Sequence, residues 1–305
     1  MKSYDLVSIG NISIDLYFKG DSLTFQDDRF QLAIGGKYYA NYFYESLGGG
    51  GANVAIGAAK MGLRTAVFGI IGNTPFKKVV MDSLQASRVS TEFCSFVKDY
   101  YNISTILLTD DGKSSIIHYT PPHQHLTESL EKMEHLANSK IVYLGNLPIV
   151  TLTEREKLLG FLKEKKVTSV VNLGSRDCRK SKSQLKNYLN ETDIIILNGH
   201  EFSELVKAKY HDIHFHEDVI KWYIPTLSEK TIIITEGAKG SFGYRHGKVI
   251  YQQAEKIDKV VDATGAGDGY TSAFIAEYSK SEDIKKAMTA GAHYAKLILS
   301  KVGAN

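Results

Sequence analysis

A glycine-rich turn in the last fifth of the chain combines one carboxylate with a helix start. The sequence reads Val260-Val261-Asp262-Ala263-Thr264-Gly265-Ala266-Gly267-Asp268-Gly269-Tyr270 and continues into a helix-like stretch from Thr271 to Glu277. Small residues let backbone N–H groups converge on an anion at a helix N-terminus, where the helix dipole also favours negative charge. A carboxylate at Asp268, held beside a phosphate, can take a proton from an attacking hydroxyl. The turn therefore predicts phosphoryl transfer, with charge stabilised by the amides of Gly265, Ala266, Gly267 and Asp268.

Two other glycine motifs are excluded by spacing. The dinucleotide fingerprint G-x-G-x-x-G/A needs a small residue where Tyr270 stands, and it belongs to an early βαβ unit. The nucleotide loop G-x-x-x-x-G-K-[ST] is absent from the sequence, so a phosphate cradle here works without that lysine. For this turn taken alone, a glycine-rich helix start with a solvated aspartate remains the alternative.

A second glycine cluster runs from Gly48 to Gly51 and continues as Ala52-Asn53-Val54-Ala55. Four glycines lose much backbone entropy on ordering, so a ligand that approaches the backbone closely is the expected reason for them. The small and apolar residues that follow predict a packed helix, which Gly62 ends. Asn53 falls in the first turn, where its amide either caps the helix or bonds a ligand hydroxyl. Both interpretations stay open.

With both clusters in view, the sequence resembles the ribokinase-like, or pfkB, family of carbohydrate and nucleoside kinases. Three motifs carry the resemblance in the expected order: Gly10-Asn11-Ile12-Ser13-Ile14-Asp15, the run from Gly48 to Asn53, and the segment from Asp262 to Asp268. The last is similar to the family's D-T-x-G-A-G-D signature, with Ala263 in place of Thr. The resemblance covers almost the whole chain. It implies that Asp15 closes the opening strand, that Asp268 is the base, and that substrate is held by Asp15, Asn53, Asn11, Gly49 and Gly50.

Two further elements match the nucleotide side of that family. Asn198-Gly199-His200-Glu201 looks like its N-x-x-E element near magnesium and phosphates, and Thr235 to Gly240 is similar to its nucleotide-side strand end. The resemblance implies ATP as donor, bound by Asn198, Glu201, Thr235, Gly237 and Gly240. It also implies Mg²⁺ near Glu201, held largely through phosphates and water. Asp262 and Thr264 match positions that in several relatives lie near a monovalent cation such as K⁺.

Departures from the family pattern bear on the substrate. Many relatives have lysine where this chain has Gly50, so no cation grips a sugar phosphate there, and a non-phosphorylated substrate is favoured. Asn73 replaces an acid that often touches the substrate. The expected function is an ATP-dependent kinase acting on a hydroxyl of a small sugar, similar to ribokinase or fructokinase. A nucleoside kinase of the same family and a catalytically silent sugar or nucleoside sensor are the alternatives, and the sequence leaves the sugar and the hydroxyl open.

Composition narrows the class of partner and the compartment. The 37 basic and 34 acidic residues give a net charge of +3, which argues against a nucleic-acid-binding surface and favours a small-molecule substrate. Cys94 and Cys178 are too few for a disulfide framework. No apolar run approaches the roughly 18 residues of a membrane helix, and the first apolar run contains an acid. We therefore expect a cytoplasmic protein without a membrane partner.

The elements that must position these residues alternate between short apolar runs and longer helical patterns, as in βαβ units. Strands are predicted at Leu6 to Ile9, Thr65 to Ile71, Ile141 to Leu144, Ser169 to Leu173, Ile194 to Leu197 and Thr231 to Thr235. Helices are predicted at Thr153 to Lys165, with a Thr153/Glu156 capping box, and at Asp283 to Ser300, with a core-facing stripe that includes Ala292, Ala295 and Leu299. With the resemblance, these predict a single ribokinase-like domain over residues 1–305, a three-layer α/β/α fold with a mostly parallel central sheet.

Two tyrosine-rich, alternating stretches interrupt this pattern, at about 15–44 and 98–120. Residues 101–119 are typical of a hairpin, with its turn at residues 110–113. In the resembled family such strands form a small β lid over the sugar site, sometimes shared across a dimer. A lid would exclude water that could otherwise accept the phosphoryl group. The resemblance thus implies a β lid inserted in the domain, and it raises a homodimer through that lid as a hypothesis.

Overall fold

Apolar runs of the sequence form a central sheet that is buried on both faces. The computed structural model describes residues 3–27, 29–122, 130–147 and 150–305. Within them the strands, numbered in chain order, are β1 (Tyr4–Ile9), β2 (Ser13–Lys19), β3 (Phe25–Gln26), β4 (Arg29–Phe30), β5 (Tyr42–Gly48), β6 (Thr65–Phe68), β7 (Ile70–Asn73), β8 (Ser95–Lys98), β9 (Ile103–Leu108), β10 (Ser114–Tyr119), β11 (Ser139–Leu144), β12 (Thr168–Asn172), β13 (Ile194–Asn198), β14 (Thr231–Thr235), β15 (Ser241–Arg245) and β16 (Lys248–Gln252).

The helices lie mainly between these strands. They are α1 (Gly50–Lys60), α2 (Lys77–Ala86), α3 (Leu130–Leu136), α4 (Leu152–Glu164), α5 (Ser175–Cys178), α6 (Lys182–Glu191), α7 (Gly199–Val206), α8 (Val219–Tyr223), α9 (Ala266–Ser281) and α10 (Ile284–Leu299). None of the helices in the described ranges is long and apolar enough to cross a membrane. Cys94 and Cys178 are both buried, and neither forms a disulfide within the described ranges.

The central sheet has eight strands in the order β16-β15-β14-β13-β12-β11-β1-β6. All neighbours pair in parallel from β6 to β14, and β15 and β16 add an antiparallel edge. Successive residues of β1, Leu6 and Val7, belong to different apolar clusters, because alternate side chains point to opposite faces. Helices cover both faces, as parallel sheets require. The predicted mostly parallel α/β fold is confirmed.

A second sheet of four strands has the order β10-β9-β2-β5. The predicted hairpin is present as β9 and β10. The prediction that Asp15 closes the opening strand is wrong, since β1 ends at Ile9 and Asp15 is the third residue of β2. The chain changes sheets at Gly10, where a Cβ atom would lie 2.8 Å from the Cα of Gly51. A larger residue would push that crossing apart.

Two other element predictions need correction. The predicted strand from Thr65 to Ile71 is split at Gly69, where a Cβ atom would lie 2.7 Å from the carbonyl oxygen of Gly10. Its first half joins the central sheet as β6, and its second half pairs with β8. Helix α4 begins two residues earlier than predicted, because the capping box is formed by Thr151 and Glu154. Two overlapping T-x-x-E frames occur here, and the spacing rule does not choose between them.

Candidate active site

The glycine turn from Gly265 to Asp268 begins helix α9. Gly265 has a φ of 78°, and a Cβ atom there would lie 2.1 Å from the Cβ of Ala304, so only glycine fits. No side chain caps the helix, and the Ala266 amide donates a 3.4 Å hydrogen bond to the carbonyl of Ala263. A Cβ atom at Gly267 would meet no heavy atom within 4 Å. The helix tip therefore has no side-chain cap and adjoins open space at Gly267, as the predicted anion cradle requires.

Asp268 is held from one side by Asn53. The Asn53 Nδ2 group donates a 2.8 Å hydrogen bond to Asp268 Oδ2, joining the first turns of α1 and α9. Asn53 is 6% exposed and does not cap α1, whose N-cap residue is Gly49. Asp268 Oδ1 has no hydrogen-bond partner within the described ranges, and a Cβ atom at Gly50 would lie 3.4 Å from it. One carboxylate oxygen is thus fixed, and the other is available to accept a proton.

Burial and two neighbouring side chains shift the pKa of Asp268. Burial raises the pKa of this carboxyl above the ordinary aspartate value, and the hydrogen bond from Asn53 opposes that rise. The negative charge of Asp15 adds to the rise in the Asp268 pKa. The charge of Asp15, the other predicted functional carboxylate, therefore acts on Asp268.

The glycine run has a different explanation from the predicted one. A Cβ atom at Gly48 would lie 1.9 Å from Asp15 Oδ2, and one at Gly49 would lie 2.4 Å from the carbonyl oxygen of Asn11. A Cβ atom at Gly51 would lie 2.6 Å from the backbone of Gly10. The protein's own chain therefore excludes side chains at these three positions, and the prediction that a ligand accounts for them is wrong. Gly50 alone of the run faces Asp268.

Asn11 acts through its backbone in this arrangement. Its carbonyl oxygen accepts hydrogen bonds from the amides of Gly51 and Ala52, at 3.1 and 3.3 Å. These bonds tie the crossing between β1 and β2 to the first turn of α1. Asn11 thus lies beside the glycine run, and its role in substrate binding stays a prediction.

Asp15 lies on β2, on the face of the second sheet that turns toward the glycine run. It is 5% exposed and accepts a 3.2 Å hydrogen bond from Ser13. Its neighbour across the strands is Ser104, whose hydroxyl lies 3.0 Å from His118 Nδ1. Burial raises the pKa of Asp15, and bonds from Ser104 and Ser13 oppose the rise. Sequence reasoning missed Ser104 and His118, although their hairpin register places both on the Asp15 face.

A cavity of about 760 Å³ adjoins the helix tip. Its walls include all three residues predicted for the nucleotide side of the strand end, Thr235, Gly237 and Gly240, together with Ala266 and Gly267. Ala292, Ala295 and Leu299 of α10 also line it, and Ala292 and Ala295 pack against the core at the same time, as the predicted core-facing stripe requires. Small side chains on a helix leave room there, which sequence periodicity does not distinguish from core packing.

Asn198 and Glu201 are engaged with each other at the start of α7. The Glu201 amide donates to Asn198 Oδ1, and the Asn198 amide donates to Glu201 Oε2, both at 2.9 Å. Burial raises the pKa of Glu201 to about 7, and the negative charges of Glu204 and Asp268 contribute. The negative charge of Asp268 acts on Glu201, although neither Glu201 nor Asn198 lines the cavity described above.

Asp262 and Thr264 form a separate buried polar group. Asp262 is 0% exposed, and its two oxygens accept hydrogen bonds from the amides of Thr264 and Gly303, at 2.8 and 3.0 Å. The hydroxyl oxygen of Thr264 has no hydrogen-bond partner in the part of the chain that is described. A buried carboxylate bonded only to neutral amides, beside an unpartnered hydroxyl, has the donor chemistry that suits a small cation.

Acidic side chains alone do not form a metal site here. No group of three or more His, Cys, Asp or Glu side chains that could hold a metal ion occurs within the described ranges. A magnesium ion at Glu201 would therefore depend on phosphate oxygens and water for most of its ligands, as is usual for Mg²⁺ with nucleotides.

Comparison with known proteins gives a consistent result. The family model described as pfkB family carbohydrate kinase matches residues 4–305. The chain is 26% identical over 320 residues to an ATP-dependent 6-phosphofructokinase of Thermoanaerobacterium thermosaccharolyticum, covering 99% of this chain and 90% of that protein.

Solved structures show the same fold. The ribokinase of Arabidopsis thaliana, complexed with ribose and ATP, superposes with a TM-score of 0.81 at 23% identity, covering 98% of this chain and 94% of that one. The adenosine kinase of Sinorhizobium meliloti gives a TM-score of 0.81 at 19% identity, covering 100% of this chain and 96% of the other.

The two glycines of the α9 turn should respond oppositely to alanine. Gly265→Ala forces a Cβ atom into Ala304 at a positive φ, so it should destabilise the protein by about 1 kcal/mol or more. Gly267→Ala adds a Cβ atom to open space within a helix and should leave stability unchanged or raise it by up to about 1 kcal/mol. Urea unfolding followed by circular dichroism measures both values. Equal losses of stability would show that the helix tip is packed rather than open.

Proposed function

Because the chain belongs to the pfkB family of carbohydrate kinases, we propose that it transfers the γ-phosphoryl group of ATP to a hydroxyl of a small, unphosphorylated sugar. The observation that carries this proposal is the position of Asp268. One of its oxygens is fixed by Asn53, and the other has no hydrogen-bond partner among the described residues and lies at an uncapped helix tip that adjoins open space at Gly267. A proton acceptor and an anion cradle are therefore within one helical turn.

In the proposed reaction, Asp15 accepts a hydrogen bond from a substrate hydroxyl and orients the sugar. Asp268 Oδ1 takes the proton of the attacking hydroxyl, while the amides of Gly265, Ala266, Gly267 and Asp268 stabilise charge on the transferred group. The cavity lined by Thr235, Gly237 and Gly240 would hold the nucleoside part of ATP. Most of the rate then comes from positioning and electrostatic stabilisation.

Charge on the substrate face of the second sheet supports an unphosphorylated substrate. That face carries alternate residues of β2, β5, β9 and β10, among them Asp15, Ser104 and His118. Within the described ranges, Lys19 is its only lysine or arginine, and Lys19 pairs with Asp110 at 2.5 Å. Burial lowers the pKa of His118, which disfavours its charged form. A sugar phosphate would find no free cation on this face.

A nucleoside is the second candidate substrate. Tyr17 and Tyr44 lie opposite each other on the substrate face, with ring centroids 6.0 Å apart, and Tyr44 is 41% exposed. An exposed aromatic ring on this face can stack on a base as well as on a sugar. The silent-sensor alternative gains no support, since the carboxylate and open helix tip that a base needs are both present.

The two cations of the proposal have different support. Mg²⁺ would neutralise phosphate charge near Glu201, whose pKa is raised by burial and, to a smaller extent, by nearby negative charge. K⁺ would fit beside the Asp262 carboxylate and the unpartnered Thr264 hydroxyl. Neither cation is assigned a step by the geometry.

We also propose that the second sheet is a lid over the substrate within a single domain, and that its outer face pairs with a second copy of this chain. The register places Phe18, Phe43 and Leu107 in one row across that face, with Ile117 and Tyr119 beside them. Phe43, Ile117 and Tyr119 are 55%, 65% and 61% exposed. Large apolar side chains grouped on one sheet face are typical of an interface.

The proposed activity is tested by incubating the protein with ATP, Mg²⁺ and a panel of free sugars, sugar phosphates and nucleosides, with product identified by mass spectrometry. Phosphorylation of a free sugar is the expected result. Turnover only with a nucleoside would select the second candidate. Absence of any phosphorylated product, in a protein that binds a panel member, would favour the sensor.

Replacing the proposed base should separate chemistry from binding. Asp268→Asn keeps the shape of the side chain and removes proton acceptance, so kcat should fall by about 10²-fold or more, with ATP affinity and thermal stability retained. Asp82→Asn, at an exposed position of α2, is the matched control. In the wild type, kcat should decline as pH falls through the raised pKa of Asp268. Near-normal turnover of Asp268→Asn would remove it from the role of base.

Replacing Asp15 should affect the two substrates unequally. Asp15→Ala removes a charged hydrogen-bond acceptor from a buried position, so the Kd for the sugar should rise by about 10-fold or more while the Kd for ATP changes by less than about twofold. Calorimetry with each ligand alone measures both affinities. A comparable loss for both ligands would contradict the assignment of Asp15 to the sugar.

The proposed dimer is tested by sedimentation equilibrium. Phe43→Ser and Ile117→Ser together should convert a wild-type dimer to a monomer, since they remove apolar area from the outer face of the lid. Exposed apolar residues elsewhere provide the control, and Trp222→Ser should leave the mass unchanged. A wild type that is monomeric at about 100 μM would overturn the proposal, because stable dimers form well below that concentration.

A further inference from the structure

A hydrogen-bonded chain reaches Asp268 from the second sheet through two asparagines. The Asn305 Nδ2 group lies 2.9 Å from the carbonyl oxygen of Leu47 and 2.9 Å from Asn53 Oδ1. Asn53 in turn donates through Nδ2 to Asp268 Oδ2 at 2.8 Å. Asn305 therefore contacts the residue that holds the proposed base, and it makes no contact of its own with Asp268 among the hydrogen bonds of the described residues.

Which groups donate and which accept in this series of hydrogen bonds follows from the groups at its two ends. The carbonyl of Leu47 only accepts hydrogen bonds, so the amide of Asn305 must present its NH₂ group there. Both hydrogens of that NH₂ group are then used, one toward Leu47 and one toward Asn53. Asn53 must meet Asn305 with its oxygen, which leaves its own NH₂ group facing Asp268. A backbone carbonyl thus determines which end of the Asn53 amide the carboxylate meets.

The orientation of the Asn53 amide matters for the carboxylate. An NH₂ group facing Asp268 stabilises the ionised form, whereas a flipped amide would place an oxygen against a negative charge. Asn53 is buried beside α9 and has no other partner for its oxygen among the described residues. Without Asn305, the bond to Asp268 would be the only side-chain hydrogen bond among the described residues that holds the amide in its present orientation.

The same series of hydrogen bonds begins on the second sheet, which is the proposed lid. Leu47 lies on β5, opposite Ile14 of β2, and both side chains are buried in the core beneath that sheet. The carbonyl of Leu47 is therefore fixed relative to the strand that carries Asp15. Through Asn305, the pair of strands β2 and β5, which carries Asp15, therefore also sets the orientation of the Asn53 amide at Asp268.

We propose that Asn305 is a positioning residue for the reaction, which orients the Asn53 amide so that its NH₂ group holds Asp268 in the ionised, proton-accepting form. This inference rests on the proposed function of Asp268. The effect of Asn305 is transmitted through Asn53, so Asn305 is part of neither the substrate contacts nor the anion cradle.

Other groups also act on Asp268 and must be kept constant in a test. Asp15 of β2 raises its pKa, and Asp268 itself acts on Glu201 of α7 and on Tyr143 of β11. A charged replacement at position 305 would add a further direct effect. A neutral residue of similar size, leucine, removes the hydrogen bonds without that complication.

The test compares Asn305→Leu with wild type in the acid limb of the kcat profile and in the titration of Asp268. The carboxyl resonance is followed by NMR in protein labelled with ¹³C at the aspartate side chains, and it is assigned by its absence in Asp268→Asn. Loss of an oriented hydrogen bond should raise both midpoints by about 0.5 to 1 pH unit, while the KM for ATP changes by less than about twofold. Asn187→Leu, on the exposed side of α6, is the control.

A double-mutant cycle decides whether Asn305 acts through Asn53. In an Asn53→Ala background, Asn305→Leu should cause no further shift of the midpoint. An equal shift in both backgrounds, or midpoints that match wild type despite lowered thermal stability, would overturn the proposal. Should Asn305→Leu fail to fold, Asn305→Ala gives the same comparison. The NMR titration needs no turnover, so an inactive wild type would refute the proposed function and still leave this inference testable.

Discussion

The close packing of α1 against α9 is the constraint on which the rest of the site depends. Asn53 and Asp268 are 215 positions apart in the chain, and they share a hydrogen bond because the first turns of the two helices meet. Glycine makes this approach possible. A Cβ atom at Gly57 would lie 2.2 Å from the hydroxyl of Ser272, and the backbones of Gly10 and Gly51 are in direct contact. A larger residue at Gly57 would separate the two helices and break the bond, and one at Gly10 or Gly51 would displace the start of α1 from the crossing between β1 and β2.

Negative charge is concentrated where these helices meet. Asp15, Asp268 and Glu201 come from three different elements, and burial raises the pKa of each. Three carboxyl groups beside a phosphate would repel it in isolation. The helix N-terminus of α9 supplies a favourable field, and in the proposed reaction a magnesium ion would reduce the remaining repulsion. This balance would allow a carboxylate to serve as the base at a phosphate site, as proposed for Asp268.

Sequence reasoning succeeded where one local rule applied and failed where two rules competed. The apolar runs of the central sheet were predicted correctly because parallel strands are buried on both faces. The strand over Thr65 to Ile71 was predicted as one element because its apolar run is continuous, although Gly69 meets a neighbouring carbonyl and divides it. The cap of α4 was assigned to Thr153 because two T-x-x-E frames overlap, and the helix uses Thr151. Ala292 and Ala295 keep helical spacing whether they face a core or a cavity.

The sequence by itself determined the family, the parallel α/β class and the residues of the glycine turn, because these depend on residue type and on spacing within short segments. Only the tertiary structure shows which contacts require glycine at each position of the glycine run. A side chain at Gly48, Gly49 or Gly51 would collide with Asp15, Asn11 or Gly10, respectively. These contacts join segments that are far apart in the sequence, so no local sequence pattern reveals them. The tertiary structure also decided the orientation of Asn53, since that depends on a carbonyl of β5 and on an asparagine 252 positions away. Long-range contacts of this kind arise only when the sheets and helices have packed.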